Sequence, residues 1–472
     1  MIQSYAVRAM VVVALAVAIG PVFAMAVSFP LTRRLKTHID HPHVVVPEQI
    51  RCHRHQQLSN QVALVEQVNE DGSRPGLGPN SVPISHNSAV YTVSIGVGTP
   101  PQMQSLLVDT GSADVMVFGL ASQQCRESSW GCGGGYNPVA SSTYENLDTS
   151  FAFGFSNESD TARGSFVRDD IRLGDYLVRG QQFALVEDSI LDFDIEGVLG
   201  LGYKSMQQAE VKYDAIASKL YPPNRLNSRP LYSLYLDSRH RQEPPRPNPE
   251  RSLDFSSYRS NSHVIPTASL DLGFVDAWKH VGDEMAFVPC TSMHEFSVAL
   301  TDITTIPRSS VAQHILQSVS LMDKNTRGDL NVLLDSGTIG IHMPDTIADG
   351  MASRISPLAV YDDWLPGYRL PCALIPDSAS DYFEFTFDTD LKSFAKNKTV
   401  KVAFAELYRE LNTTSSGGHN TLGDKMCMLD IVRESTYGIG AILGTAFLSS
   451  VYAVFDVDAH RVGIAQAAYY NM

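Results

Sequence analysis

Leu107-Val108-Asp109-Thr110-Gly111-Ser112 and Leu333-Leu334-Asp335-Ser336-Gly337-Thr338 are two copies of one pattern: apolar, apolar, Asp, hydroxyl, Gly, hydroxyl. An Asp placed directly after an apolar run is costly, because such a run favours a buried strand and the carboxylate must then be solvated by the protein. The residues that follow offer the means. Gly111 and Gly337 let the backbone turn and approach a carboxylate closely. The hydroxyls of Thr110, Ser112, Ser336 and Thr338 can donate to the carboxylates or tie down the turns. A lone Asp-Thr-Gly is ordinary turn chemistry. Two matched copies at the ends of apolar strands are not.

Each copy has a companion. Gly197-Val198-Leu199-Gly200-Leu201-Gly202 lies 88 to 93 residues after Asp109, and Gly440-Ala441-Ile442-Leu443-Gly444-Thr445 lies 105 to 110 after Asp335. The halves therefore repeat in the same order, as an internal duplication does. With Tyr91-Thr-Val-Ser-Ile-Gly-Val-Gly-Thr-Pro-Pro-Gln102, Val454-Phe455-Asp456 and Val462-Gly463-Ile464-Ala465, the chain from about Tyr91 to Ala467 resembles the pepsin-like aspartic endopeptidases.

The resemblance implies an all-β, bilobal fold with approximate twofold symmetry, a cleft between the lobes and a few short helices. It implies that Asp109 and Asp335 are catalytic, supported by Thr110, Gly111, Ser112, Ser336, Gly337 and Thr338. Two carboxylates a few ångströms apart share one proton, so one can take a proton from water while the other donates to the scissile carbonyl oxygen. The implied reaction is hydrolysis of peptide bonds in proteins at acidic pH, with no cofactor and no metal. No Gly-x-Ser-x-Gly elbow between strand and helix, no His-Glu-x-x-His and no Cys/His cluster with zinc spacing competes with this reading. His342, near Asp335, reads as a structural or solvated histidine.

The chain departs from the family at the flap, the hairpin expected over the cleft. The corresponding stretch, Phe151-Ala-Phe-Gly-Phe-Ser-Asn-Glu-Ser-Asp-Thr-Ala-Arg-Gly164, holds no Tyr, and Phe155 is its expected stand-in. Met116, seven residues after Asp109, stands where the family commonly has Trp. A Phe155–Met116 contact leaves no polar group orphaned and, with Leu107, outlines an apolar pocket suited to large hydrophobic substrate side chains. The unusual flap also leaves open an alternative: a catalytically weak or inactive protein that uses the same scaffold as a binding module.

At 472 residues, with 44% apolar and 18% charged residues, the chain is long enough for two well-filled lobes. The net charge of −15 argues against nucleic acid as a partner, since binding it needs clustered Lys and Arg. Arg8 followed by the apolar run Ala9 to Ile19 and small residues at Ala24 and Ala26 reads as a signal peptide over 1–26, a signal anchor being the alternative. Residues 27–85 read as a propeptide, the chain's own intramolecular inhibitor. Its basic start, Arg33-Arg34-Leu-Lys36, resembles the family's prosegments and can pair with an acidic cleft. Residues 86–290 form the expected N-terminal lobe and 291–472 the C-terminal lobe, with strands expected at Ala89 to Ile95, Ser105 to Val108, Gln182 to Val186, Leu231 to Leu236 and Phe296 to Leu300. The polar, proline-rich stretch 237–262 reads as an insertion, either an idle surface loop or a processing site.

Six cysteines suit an oxidising compartment. Cys125 and Cys132 have the spacing of a small disulfide loop, and Cys372 and Cys427 resemble the family's second-lobe pair, leaving Cys52 and Cys290. Asn157, Asn397 and Asn412 begin glycosylation triplets. The expected product is a secreted monomer that acts on protein or peptide substrates, with no stable membrane anchor and an extracellular or vacuolar destination.

Overall fold

A computed structural model describes residues 64–65, 80–87, 90–122, 125–126, 135–154, 161–190, 197–221, 230–238, 268–281, 285–305, 319–322, 329–376, 381–389, 397–411 and 425–468. Among these, the chain is mainly β. The expected strands appear as Val90–Val97, Gln102–Asp109, Tyr176–Ile190, Leu231–Tyr235 and Ser297–Thr305. The period of two decides the first of them: Tyr91, Val93, Ile95 and Val97 are fully buried while the intervening Thr92 and Ser94 are not.

A thirteen-stranded sheet runs through the first half, and an eight-stranded sheet and a four-stranded sheet are built from the second. Two strands from the end of the chain, Val451–Asp456 and Arg461–Gln466, join the large sheet, the former pairing antiparallel with Leu231–Tyr235. One apolar core runs beneath both halves, with Val108, Leu199 and Phe296 in the same cluster as Leu334, Leu443 and Phe455. The helices are short: Asp345–Ile355, Glu434–Tyr437 and Thr445–Leu448. The strand Ser81–Asn87 lies inside the large sheet, between Val90–Val97 and Ala268–Leu272.

The duplication seen in the sequence is a duplication of topology. Gln102–Asp109 pairs parallel with Gly197–Gly200, which pairs antiparallel with Val115–Phe118. Leu330–Leu334 pairs parallel with Ala441–Leu443, which pairs antiparallel with Ile341–Met343. In each half the middle strand is the apolar-Gly companion, so the Asp turn is wedged beside it. Gly200 and Gly444 sit at the closest approach: a Cβ on either would fall 2.3–2.4 Å from a backbone oxygen.

Most of the insertion at 237–262 and both sequons at Asn157 and Asn412 lie outside the described residues, as do Cys52 and Cys132. Cys372 and Cys427 are bonded, with an S–S distance of 2.09 Å. Cys125 is also disulfide-bonded. Cys290 carries a buried thiol beside the Tyr203 hydroxyl. Asn397 is exposed and opens the strand Asn397–Ala403. No helix among the described residues is long and apolar enough to cross a membrane.

Candidate active site

Val108 and Leu334 are fully buried, and the chain turns immediately after each core strand. The two turns solvate their carboxylates in the same way. The Gly111 amide donates to Asp109 Oδ1 (2.8 Å) and the Gly337 amide to Asp335 Oδ1 (2.8 Å). The Ser112 hydroxyl donates to Asp109 Oδ2, and the Thr338 hydroxyl to Asp335 Oδ2 (2.7 Å). The four hydroxyls therefore divide their work. Ser112 and Thr338 hold the carboxylates, while Thr110 and Ser336 hold the two turns to each other.

That second connection is reciprocal. Thr110 Oγ1 donates to the Leu334 carbonyl (2.8 Å) and accepts from the Ser336 amide (3.0 Å). Ser336 Oγ donates to the Val108 carbonyl (2.7 Å) and accepts from the Thr110 amide (3.1 Å). Each hydroxyl spends one donor and one acceptor on the opposite turn, and both residues are buried.

The glycines are required by this closeness. A Cβ on Gly111 would lie 2.5–2.6 Å from the Asp335 carboxyl atoms, and one on Gly337 would lie 2.5 Å from Asp109 Oδ1. Each carboxyl group thus rests against the turn of the other half, and the two are within hydrogen-bonding reach. Burial first, and then the charge of Asp335, push Asp109 well above the usual carboxylate range, against the opposing hydrogen bond from Ser112. One proton is therefore retained by the pair well beyond the pH at which an isolated carboxyl loses it.

An apolar wall adjoins the first turn. Met116 (4% exposed) packs in a cluster with Phe118, Phe151, Phe153 and Phe166, and Leu107 lies against it. Phe151 and Phe153 come from the strand Glu145–Gly154, which forms a hairpin with Thr161–Leu173. Their ring centroids are 4.6 Å apart. Phe155, the expected partner of Met116, lies outside the described residues. The alternation Phe151-Ala-Phe153 is the sequence signal for the aromatic side of this hairpin.

His342 occupies the matching position of the second half, seven residues after its Asp, as Met116 is after Asp109. Met116 pairs with Val198 and Ala184, and His342 with Ile442 and Val432. Ile341 and Met343 point into the core, so His342 faces the other side, where its ring stacks 5.7 Å from Tyr437. It is 6% exposed, its Nδ1 has no partner among the described residues, and burial pulls its pKa down to about 4. The expected structural histidine is thus a buried, neutral one.

The sequence profile of the eukaryotic aspartyl proteases matches residues 90–244 and 252–467. The chain belongs to that family. Candidapepsin-4 of Candida albicans is 28% identical over 414 residues, covering 85% of this chain and 81% of its own length. Secreted aspartic protease 3 of the same organism is 28% identical over 399 residues, 82% of each chain. Secreted aspartic protease 7 is 25% identical over 409 residues; the match covers 82% of this chain and 61% of that longer relative. The protein is thus an aspartic-type endopeptidase, a hydrolase of the secretory pathway and extracellular space.

Proposed function

We propose that Asp109 and Asp335 are the catalytic pair and that they hydrolyse peptide bonds in protein substrates at acidic pH. The observation that carries this reading is the reciprocal pair of turns, which presses each carboxyl group against the opposite half. The ionised member takes a proton from water as it attacks the carbonyl carbon. The protonated member donates to the carbonyl oxygen, and the tetrahedral species then collapses with protonation of the leaving amine. No acyl-enzyme forms. This is the established logic of aspartic proteases as a class rather than a property peculiar to this chain.

The raised proton affinity of Asp109 fits the role of proton donor, and the hydrogen bonds from Ser112 and Thr338 orient the two groups. Thr110, Gly111, Ser336 and Gly337 position the pair. Leu107 and Met116 supply an apolar wall, which favours cleavage beside large hydrophobic residues. Residues 27–85 act as a leader that holds the enzyme as a zymogen, its basic residues offsetting the acidic charge of the rest of the chain. Acid neutralises the carboxylates that carry that charge and releases it. The mature enzyme is a monomer, with Asn157, Asn397 and Asn412 as its candidate glycosylation sites.

The test is a peptide-cleavage profile between about pH 3 and 7 with matched substrates carrying Phe, Leu, Ser or Asp beside the scissile bond. The reading expects a maximum in acid and a preference for Phe and Leu. An optimum at or above neutrality, or indifference to the flanking side chain, contradicts it.

A further inference from the structure

Each Asp stands at the end of a row of side chains on one face of its sheet. In the first half the row is Leu107, Val198, Met116 and Ala184, neighbours across paired strands, with Asp109 two residues beyond Leu107 on the same face. In the second half it is Leu333, Ile442, His342 and Val432. Leu334, Leu443 and Ile431 point into the main core, so Leu333, Ile442 and Val432, one position away on each strand, point to the opposite face with His342. Asp335, two residues beyond Leu333, holds the place that Asp109 has in the first half.

The two rows differ in one member. The first is apolar throughout and is backed by phenylalanines. The second has an imidazole at its centre. His342 is buried, and its Nδ1 is closed off without a partner among the described residues, which leaves Nε2 as the nitrogen that can meet a substrate. The ring is held in place. It stacks against Tyr437, which ends the one-turn helix Glu434–Tyr437. That helix is tied down by the Ser435 amide and hydroxyl, which donate to Asp345 at 3.2 and 2.7 Å, and by a hydrogen bond between the Thr436 and Tyr361 hydroxyls. Tyr437 itself is exposed, so the row is open to a ligand beside it.

An extended substrate laid across the two turns, with its scissile bond between the carboxyl groups, turns the side chains flanking that bond in opposite directions. One meets the apolar wall beside Asp109, and the other meets the row that contains His342. A neutral imidazole offers one N–H and one bare nitrogen, and the tautomer decides which of them is Nε2. A hydroxyl or a carboxamide can answer either, because each both donates and accepts. A carboxylate only accepts and an ammonium only donates, and either loses solvation against Leu333, Ile442 and Val432. We infer that His342 is a specificity-determining residue, which hydrogen-bonds a hydroxyl or carboxamide side chain of the substrate on the side of the scissile bond opposite the hydrophobic residue. The inference rests on the reading of Asp109 and Asp335 as the catalytic pair.

The experiment measures kcat/KM of the acid-treated full chain at about pH 5, where the buried ring is neutral. The peptides carry Phe on one side of the scissile bond and Thr, Val, Gln, Met, Lys or Glu on the other, in both orders. Thr against Val and Gln against Met are close in shape and differ in hydrogen bonding. In one of the two orders Thr and Gln are expected to exceed Val and Met by about tenfold. His342→Met is expected to abolish or reverse those ratios, and His342→Gln, which keeps a donor and an acceptor, to retain them. A histidine with a structural role alone would change the rates of all peptides together and leave the ratios alone. The wild-type ratios decide even where a variant fails to fold: no advantage of Thr and Gln in either order overturns the inference, as does faster cleavage with Lys or Glu in their place. Ratios unchanged in a folded His342→Met protein overturn it too. Cleavage of none of the peptides defeats the reading of the catalytic pair, and this inference with it.

Discussion

Thr110 and Ser336, 226 residues apart, each donate a backbone amide to the other's side-chain oxygen, at 3.1 and 3.0 Å. The two halves are therefore joined at the residue next to each Asp. Fixing these turns to one another sets the separation of the carboxyl groups.

Thr110→Val keeps the side-chain volume but removes the acceptor for the Ser336 amide and the donor to the Leu334 carbonyl. Both partners are buried, and leaving such groups unpaired costs about 1–3 kcal/mol each. We expect a loss of about 2–4 kcal/mol in unfolding free energy, with a fall in kcat/KM, while Thr110→Ser restores both. Denaturant unfolding and peptide kinetics on the three proteins check this. Equal stability of Thr110→Val and wild type would show that the exchange carries no weight.

Gly337→Ala places a methyl group 2.5 Å from Asp109 Oδ1, so the carboxyl group must move. A displacement approaching 1 Å at a reacting group lowers rates by about 100-fold, and a loss of that order in kcat is expected. Gly350→Ala, in the helix Asp345–Ile355 with an added carbon only in ordinary contact with Leu321, is the control. It should keep full activity and gain about 0.5–1 kcal/mol of stability.

His342 makes stability depend on pH in a defined direction. Its folded pKa of about 4 lies below the usual value of 6.5 because burial disfavours the cation. The unfolded chain therefore binds the proton first as pH falls. The contribution is fully present above about pH 6.5, shrinks as pH falls towards about 4, and amounts to at most roughly 3 kcal/mol. His342→Met, which installs the residue found at the matching position 116, should remove this slope. Unfolding free energies at several pH values across the window decide it; equal slopes in both proteins would count against a buried neutral imidazole.

The disulfide Cys372–Cys427 closes a span of 55 residues. Loop-closure entropy for that length corresponds to about 4 kcal/mol, and the double Cys→Ser variant is expected to lose about 2–4 kcal/mol. Activity at low temperature should persist, because neither sulfur touches the paired turns. Loss of activity in a variant shown to be folded would place the second-half sheet closer to the chemistry than we describe.

Both Asp turns were legible because their signal is local: an apolar run, an Asp, a hydroxyl and a Gly within six residues. The duplicated topology was legible for the same reason, since the apolar-Gly companions stand in the same order in both halves. What the residues at 110 and 336 do was not legible. Either hydroxyl could have held its own carboxylate, and only tertiary distance shows that these two face across while Ser112 and Thr338 face inward. That residues 81–87 form a strand inside the large sheet was not legible for a related reason. Val82-Pro-Ile84 is short and proline-containing, and its place in the sheet depends on pairing with Ala268–Leu272, which is distant in sequence. His342 was noticed, but its burial follows from the strand pairing on both sides of it.

The most direct test of the account is the rate of peptide hydrolysis at about pH 4 by Asp109→Asn and Asp335→Asn, each shown to be folded by its unfolding transition. An amide can neither hold the shared proton nor take one from water, so each single variant is predicted to lose activity almost entirely. Near-normal cleavage by either folded variant would contradict the assignment of Asp109 and Asp335 as the catalytic pair.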